Sequence, residues 1–429
     1  MIIEFSVGNF KSIRDIATIS FQKVKALKEP ALENTFTTDR YELIKSAVIY
    51  GANSSGKSNF LNAIGFYKWF VINSSKSTQK GEEININSFE LNDDFINEPS
   101  YFQSIFLINN VKYRYGFEVS KEKVHNEWLY YSKKTKETEL FFRHFDDFEI
   151  HEEFSEGENL ETKTRDNALF LSVVAQFNGE ISNQLLKWFR NLNQISGLQD
   201  QSYEGFTLGM FQNPNLKPIV KEFLDKADLG FTDLMVEEFD ITKEKLPTGM
   251  PDSLKEKLII DLKGKKGYNL VSIHNKYDKN HKVSGEEYFP FEKYESEGTK
   301  KYFRIAGPVL DTLHHGKVLV IDELDARLHP SLTTMVVQLF NSKETNKKNA
   351  QLLFATHDTN LLNSCTFRRD QIWFAEKDYG EGTTLFSLAE YKTQNGLKVR
   401  KDEAYEKNYI AGKYGAIPFV GDFSNIFTE

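Results

Sequence analysis

Three short apolar runs lie far apart in this chain of 429 residues, at residues 47–50, 318–321 and 351–355. The run at residues 318–321 is continuous and β-branched, which is typical of a parallel strand buried on both faces of a sheet. Directly after the first run, residues 59–70 carry apolar side chains at helical spacing and predict an amphipathic helix. The pattern therefore predicts an α/β fold with strands drawn from both ends of the sequence.

The long middle of the chain carries other patterns. Residues 102–119 alternate between apolar and polar side chains around Asn109 and Asn110, which predicts two paired strands joined by a turn. Residues 140–158 are aromatic and acidic and predict a loop or a sheet edge. No stretch keeps apolar a and d positions over three or four heptads, so we expect no long coiled coil. The other predicted elements are helices at residues 181–192 and 218–227 and a second hairpin formed by residues 259–262 and 269–274.

A phosphate-binding loop lies between the first predicted strand and its helix. Residues 51–58 read Gly-Ala-Asn-Ser-Ser-Gly-Lys-Ser and match G-x-x-x-x-G-K-[ST]. The glycines let successive N–H groups converge on one phosphate, and the helix N-terminus adds partial positive charge. We expect Lys57 to reach the β- and γ-phosphates and the Ser58 hydroxyl to ligate Mg²⁺. A chance Gly/Ser turn is the alternative, and the flanking strand and helix argue against it.

Two carboxylates follow the second apolar run. Asp322 stands at the predicted carboxyl end of that strand, where it could hold Mg²⁺, and Glu323 comes next, where it could polarise an attacking water. This is the Walker B pattern. A strand that ends in a solvated acidic turn is the alternative, and the phosphate-binding loop elsewhere in the chain makes it the weaker one.

Two further features depend on the same nucleotide hypothesis. His357 follows the third apolar run, and a neutral imidazole there can donate a hydrogen bond to a γ-phosphate. Ser296 is a good N-cap for a predicted helix, Gly298 lets the backbone approach a ligand, and Pro308 should kink that helix. A histidine at a strand end and a capped surface helix are equally good interpretations of each feature alone.

Composition limits the class of protein without choosing a function. Hydrophobic residues make up 40% and charged residues 27%, as in ordinary globular proteins. Cys365 is the only cysteine, so no internal disulfide can form, and no apolar run reaches the length of a membrane span. With no secretory signal pattern at the N-terminus, we expect a cytoplasmic protein. The net charge of −8 argues against a surface that coats DNA, although it leaves room for a local basic groove.

In this order the motifs resemble those of the ABC-type ATPases of the SMC/RecF/OLD group. The opening sequence VGNFKSIRD is similar to the strand and turn that begin RecF- and SMC-type heads, near the nucleotide. The segments DELDARLHP, FATHD and YIAGKYGAIP together resemble the compact AbiL/RloA-type ATPases of prokaryotic defence operons. The resemblance covers residues 1–70 and 290–420 well and the middle only loosely.

The resemblance implies an α/β fold, a split ABC-type ATPase head with a mixed sheet flanked by helices. We place the two halves of the head at residues 1–90 and 291–429, and an inserted β lobe and mostly helical lobe at residues 91–290. It also implies a homodimer or higher oligomer in which one chain's signature closes over the ATP of the other. The implied site has Glu323 and His357 as catalytic residues, Ser58 and Asp322 as Mg²⁺ ligands, and ATP contacts from Gly51, Asn53, Gly56, Lys57, Ser58, Asn59, Ser296, Gly298 and Asp325. Gln103 and Glu127 are candidates for the Q-loop position, and neither is assigned.

Three functions remain open at this point. The first is a defence ATPase whose ATP state controls a separate effector, a nuclease or toxin from the same operon. The second is a RecF-like repair protein that binds DNA, and the third is an ATP-bound scaffold that barely hydrolyses. Glu376 and Asp378 are a weak candidate for a nuclease metal site within the chain. Gly412 and Gly415 predict a turn-rich surface loop that could dock a partner.

Overall fold

The computed structural model describes residues 1–27, 29, 33–242, 249–262, 264–392 and 396–418. The chain divides into two compact units, the first formed by Met1–Gln199 with Asp311–Glu429 and the second by Asp200–Leu310. These units do not coincide with the boundaries expected from the sequence. Residues 91–199, expected to begin an insertion, belong to the first unit.

In chain order the strands are β1 (Ile2–Gly8), β2 (Ala17–Ser20), β3 (Thr35–Thr37), β4 (Glu42–Ile44), β5 (Ser46–Tyr50), β6 (Ser100–Ile108), β7 (Val111–Val119), β8 (Val124–Ser132), β9 (Thr138–His144), β10 (Asp147–Ile150), β11 (Leu192–Ser196), β12 (Asp233–Asp240), β13 (Lys266–Tyr277), β14 (Val283–Pro290), β15 (Val318–Asp322), β16 (Gln351–Ala355), β17 (Ile372–Lys377) and β18 (Thr383–Ser387). The α-helices are α1 (Lys57–Ser77), α2 (Asp93–Ile96), α3 (Phe170–Gln176), α4 (Glu180–Arg190), α5 (Glu204–Gln212), α6 (Lys217–Asp225), α7 (Asp252–Asp261), α8 (Phe291–Tyr294), α9 (Glu297–His315), α10 (Pro330–Asn341) and α11 (Tyr405–Ile410).

An antiparallel sheet of seven strands has the order β10-β9-β8-β7-β6-β1-β2. The predicted hairpin is present as β6 and β7, and Asn109 and Asn110 both adopt positive φ in its turn, at 49° and 63°. Asparagine tolerates this left-handed backbone better than most residues, which suits it to a tight hairpin. Because β6 pairs with β1, the meander extends the N-terminal sheet and does not form a separate lobe.

A second sheet has the order β11-β15-β16-β5-β17-β18, with the first five strands parallel and β18 antiparallel to β17. The three apolar runs are its strands β5, β15 and β16. Helices flank this mixed sheet, which confirms the predicted α/β class. Strand β11 was not predicted, because its sequence, Leu-Asn-Gln-Ile-Ser, has no continuous apolar run.

Helix α1 joins the two sheets through one aromatic core. It contacts β1 of the antiparallel sheet and β11 and β15 of the mixed sheet. On its buried face, the ring of Tyr67 packs against Phe5, Phe117 and Phe189 at centroid distances of 5.5, 5.4 and 5.3 Å. Each large apolar side chain buried in this way contributes about 1.5–3 kcal/mol. Since α1 begins inside the phosphate-binding loop, this packing also holds the loop in place.

The second unit contains the three-stranded antiparallel sheet β12-β13-β14 and the short helices α5 to α8. The predicted hairpin at residues 259–274 is wrong in its first half, which lies in helix α7 and its carboxyl end. The run Leu258-Ile259-Ile260 is too short to separate strand from helix by periodicity, and the charged residues around it favour the helix. Strand β13 instead pairs with β12 and β14.

A buried ionic cluster holds helix α9 within the second unit. The guanidinium of Arg304 donates to Asp200 at 3.0 Å, to Glu204 at 2.9 Å and to Glu292 at 2.8 Å. Only 1% of the side-chain surface of Arg304 and of Asp200 is exposed. The planar guanidinium can serve several carboxylates at once, which is why arginine suits this position.

Among the described helices α1 is the longest, with 21 residues, so this part of the chain contains no long coiled coil. None of the described helices has the length and apolar character needed to cross a membrane.

Candidate nucleotide-binding site

The phosphate-binding loop is the tight connection between β5 and α1, and its glycines are required by close contacts. Gly56 has φ of 98°, and a Cβ there would lie 2.0 Å from Thr383 Oγ1. A Cβ on Gly51 would lie 2.4 Å from the carbonyl oxygen of Ala375. Any larger residue would push this loop away from β17 and β18, so both glycines are explained by sterics.

Four parallel strands deliver polar groups to one edge of the mixed sheet. The loop from Gly51 follows β5, Glu323 follows β15, His357 lies two residues after β16, and Lys377 ends β17. The carboxyl edge of such a sheet is where α/β proteins bind ligands. A pocket of about 610 Å³ lies there, lined by Ser12, Asn53, Ser54, Ser55, Gly56, Lys57, Ser58, Asn59, Glu323, His357 and Lys377.

Helix α1 contributes its amino end to this pocket. The first N–H groups of a helix have no acceptor within it, and they carry the positive end of the helix dipole. No acidic residue occupies the first turn of α1, so nothing on the helix itself neutralises that end. The arrangement suits an anion such as a phosphate group.

Lys57 places a cation at the floor of the pocket. Its Nζ donates to the carbonyl oxygens of Gly51 at 2.8 Å and Ala52 at 3.0 Å. Burial lowers the pKa of the Lys57 ammonium, and the charges of Asp322, Glu323 and Asp325 oppose that shift. Three carboxylates thus face one lysine, and a bound phosphate would bring further negative charge that only a metal ion could balance.

The residues expected to hold Mg²⁺ fit that ion. Asp322 ends β15, and its Oδ1 is buried without a hydrogen-bond partner among the described residues. The buried hydroxyl of Ser55 is in the same situation. An unpartnered carboxylate oxygen and the hydroxyl of Ser58 are the hard oxygen ligands that Mg²⁺ prefers. The site therefore has a place for the ion beside the phosphate-binding loop.

Glu323 adopts a left-handed backbone with φ of 52° directly after the strand. For a non-glycine residue this conformation costs about 1–3 kcal/mol, and such strain is concentrated at functional sites. The turn brings Glu323 into the pocket wall, whereas Asp322 stays at the end of the strand. The two carboxylates of the pair are thus separated into different positions.

His357 lies in the opposite wall of the pocket, and its backbone N–H is held by Asp325, whose carboxylate oxygens lie at 3.3 and 3.4 Å. Partial removal of water from the imidazole lowers its pKa, and Lys57 lowers it further, against the charges of Asp325, Glu323 and Asp322. The ring is therefore neutral near pH 7, so one of its nitrogens can donate a hydrogen bond to a bound ligand.

A family model described as "AAA domain, putative AbiEii toxin, Type IV TA system" matches residues 46–363. The chain belongs to this AAA-domain family. The match extends from the first strand of the phosphate-binding loop to beyond His357, so it contains every element of the pocket except Ser12 and Lys377. No curated protein matches the chain.

Three solved structures are similar to this AAA-domain protein at low identity. The SMC head domain from Thermotoga maritima is 13% identical, with a TM-score of 0.40, over 90% of this chain and 98% of that one. The protein cbiO1 from Clostridium perfringens, part of the ABC transporter complex cbiONQ, is 10% identical, with a TM-score of 0.30, over 90% and 88%. The recombination mediator protein RecF with ATP is 13% identical, with a TM-score of 0.29, over 83% and 93%.

Sequence reasoning did not single out Ser12 and Lys377 in the AAA domain. The Ser12 Oγ accepts from Asn59 Nδ2 at 2.8 Å and lies 2.8 Å from Thr383 Oγ1. Thr383 Oγ1 in turn donates to the carbonyl oxygen of Ser55 at 3.0 Å. The signal for Ser12 was present in the opening VGNFKSIRD, whose turn was expected near the nucleotide. Nothing in the sequence around Lys377 marks it as a phosphate ligand.

Ser296 and Gly298 lie in the second unit, at the start of α9. The Ser296 Oγ accepts from the backbone N–H of Thr299 at 3.1 Å, which is the hydrogen bond expected of an N-cap. The helix continues through Pro308 to His315. The assignment of Ser296 and Gly298 to the nucleotide of another chain stays a prediction.

The two Q-loop candidates have structural roles. The carboxylate of Glu127, buried in the antiparallel sheet, accepts from Phe170 N at 2.6 Å, Leu171 N at 3.0 Å and Tyr115 Oη at 2.8 Å, so it caps the start of α3. Burial raises the pKa of Glu127. Gln103 Oε1 accepts from Trp128 Nε1 at 3.1 Å. Neither side chain lines the nucleotide pocket.

The weak nuclease candidate also has a structural explanation. Asp378 pairs with Arg14 at 2.7 Å and accepts from the backbone N–H groups of Gly380 and Gly382 at 2.9 and 3.0 Å. It therefore organises the turn between β17 and β18. Within the described residues, no group of three or more His, Cys, Asp and Glu side chains could hold a metal ion.

Proposed function

We propose that this AAA-domain protein binds ATP and hydrolyses it to ADP and phosphate. The observation that carries the proposal is the convergence of the phosphate-binding loop, Glu323 and His357 on one pocket at the carboxyl edge of a parallel sheet. A phosphate site alone would support only binding. A carboxylate and a neutral imidazole in the same walls add the groups that can orient and deprotonate a water.

Each side chain has a distinct task in this reaction. The loop N–H groups and Lys57 hold the β- and γ-phosphates. Ser58 and Asp322 would hold Mg²⁺, which neutralises charge on those phosphates. Glu323 accepts a proton from the water that attacks the γ-phosphorus, while the bond from that phosphorus to the β,γ-bridging oxygen breaks. His357 donates to an oxygen of the departing phosphate, so its hydrogen bond depends on the state of the nucleotide.

The test uses ATP turnover and ATP binding measured on the same purified chain. Glu323→Gln should keep binding and lower turnover by about 10²–10⁴-fold, the usual contribution of a positioned base. Lys57→Ala should weaken binding itself. Glu344→Gln, an exposed acid outside the pocket, is the matched control and should leave both unchanged. Wild-type turnover in Glu323→Gln would contradict the catalytic assignment.

We also propose that the active form is a homodimer or higher oligomer, with Ser296, Gly298 and Asp325 facing the nucleotide of the partner. The N-capped start of α9 supports this, since it presents its N–H groups as an anion site. Ser296→Arg should leave ATP binding by single chains intact and abolish ATP-dependent association. Mixed with Lys57→Ala, it should recover part of the turnover, because one composite site is then complete. Absence of any recovery would contradict the shared site.

The biological role that we propose is control of a separate effector in antiphage defence. The subgroup resemblance and the family's description as a type IV toxin–antitoxin system both support it. So does the lack of a second metal-binding cluster in the described part of the chain. Co-expression with neighbouring genes should yield a complex that ATP turnover releases and Glu323→Gln traps. If DNA stimulates turnover and no protein co-purifies, the RecF-like alternative is the better one.

A further inference from the structure

The C-terminal segment, residues 405–416, packs into the core behind the nucleotide pocket. The ring of Tyr409 lies 5.8 Å from Tyr50 and 5.3 Å from Phe374, and Tyr414 lies 5.7 Å from Phe374. Tyr409 and Tyr414 are buried. The sequence had predicted a surface loop here from its glycines. The tyrosines between the glycines instead anchor it to β5 and β17.

The same segment holds the loop that carries His357. Thr359 Oγ1 donates to Glu406 Oε1 at 2.8 Å, and the Glu406 backbone N–H donates to the carbonyl oxygen of Leu362 at 3.1 Å. From the other side, Tyr50 Oη donates to the carbonyl oxygen of Asp358 at 3.0 Å. Tyr50 is the residue before Gly51, so the histidine loop is tied both to the phosphate-binding loop and to α11.

Internal contacts make the segment rigid enough for this role. Gly412 and Gly415 adopt φ of 74° and 69°, which turn the chain back after α11. Tyr409 Oη then donates to the carbonyl oxygen of Ala416 at 3.1 Å, and Asn408 Nδ2 donates to Tyr414 Oη at 3.0 Å. The turn thereby closes on the helix that carries Glu406.

We propose that the C-terminal segment positions His357 for the reaction, with Glu406 as the positioning residue that acts on the histidine loop. The inference rests on the ATPase activity proposed above. Glu406 touches neither the pocket nor the phosphates; it fixes Thr359, two residues from His357. Loss of this hydrogen bond frees one side of the loop and lets the imidazole leave its place in the pocket wall.

Steady-state ATP turnover tests this with three variants of the full chain. Glu406→Ala should lower kcat by about tenfold and change KM by less than about twofold, because an orienting contact to a hydrogen-bond donor is lost while the phosphate site is intact. Glu406→Gln keeps an oxygen acceptor for Thr359 and should restore most of kcat. Lys407→Ala, the exposed neighbour on α11, is the matched control and should match the wild type.

A double-mutant cycle separates positioning from general loss of structure. If Glu406 acts through His357, adding Glu406→Ala to His357→Ala should lower kcat no further. A further tenfold loss on that background would overturn the proposal, as would unchanged kcat in Glu406→Ala. Should Glu406→Ala fail to fold, Thr359→Val removes the same hydrogen bond from the other side. A wild-type chain without turnover would overturn the ATPase proposal together with this one, so the two failures are distinguishable.

Discussion

The two compact units use buried side chains in opposite ways. In the first unit every residue of β5 and of β16 is buried, whereas in the second unit α7 and β14 bury none of theirs. The first unit is thus held by apolar packing on both faces of its central strands. The second unit relies more on the Arg304 cluster. A pocket whose walls must hold polar groups in fixed places is found where the supporting strands cannot move.

Equivalent glycine substitutions in the two units should break this comparison most strongly. Gly56→Ala must accommodate a positive φ and a contact of 2.0 Å, so we expect ATP binding to weaken by about tenfold or more, which corresponds to at least about 1.4 kcal/mol. Gly285→Ala in β14 meets open space and should leave binding and stability unchanged or slightly improved. Calorimetric titration with ATP and thermal unfolding measure both. A neutral Gly56→Ala would contradict the steric account.

The second unit should be most sensitive at its ionic cluster. Arg304→Met leaves the buried Asp200 without its guanidinium, and breaking a buried pair costs about 3–5 kcal/mol. Denaturant unfolding should show the loss. Lys226→Met removes an exposed pair with Glu222 on α6 and should have no measurable effect. If the two variants are equally stable, the cluster does not hold the unit.

Lys377 sharpens the comparison within the first unit, where the effect should be moderate. It lines the pocket but is paired with Glu381 at the protein surface. Lys377→Met should raise KM for ATP by about two- to fivefold, the range of a partly exposed charge interaction. Glu381→Gln releases Lys377 from its partner and should not raise KM. An unchanged KM in Lys377→Met would mean that the lysine makes no contact with the phosphates.

The smallest effect should appear in the pH dependence of turnover. Because the pKa of His357 is lowered in the folded protein, the ring loses its proton more readily than a free histidine, whose pKa is about 6.5. The neutral form therefore persists below pH 6.5, and we expect the histidine-dependent fall in turnover to occur only below that value. His357→Gln should lack this part of the acidic limb. A limb above pH 6.5 that disappears in His357→Gln would reverse the sign of the shift.

Local patterns in the sequence predicted the elements whose physics is local. The turn at Asn109 and Asn110, the cap at Ser296 and the glycines around Lys57 each depend on backbone conformations and hydrogen bonds a few residues apart. The same reasoning failed at β11, whose Asn193 and Gln194 lie in a strand only because β15 pairs beside it. It failed again at α7, where a short apolar run supported either structure.

The sequence by itself determined that a phosphate-binding loop, a strand with two terminal carboxylates and a strand-end histidine are present, because each is a contiguous motif with a defined backbone requirement. Only the tertiary structure decided that Ser12 and Lys377 join them, that Asp378 organises a turn, and that Glu406 holds the histidine loop. These choices depend on which distant segments meet when one sheet forms and α1 packs against it. Contacts across hundreds of residues are set by the burial of the whole core, and no short stretch of sequence records them.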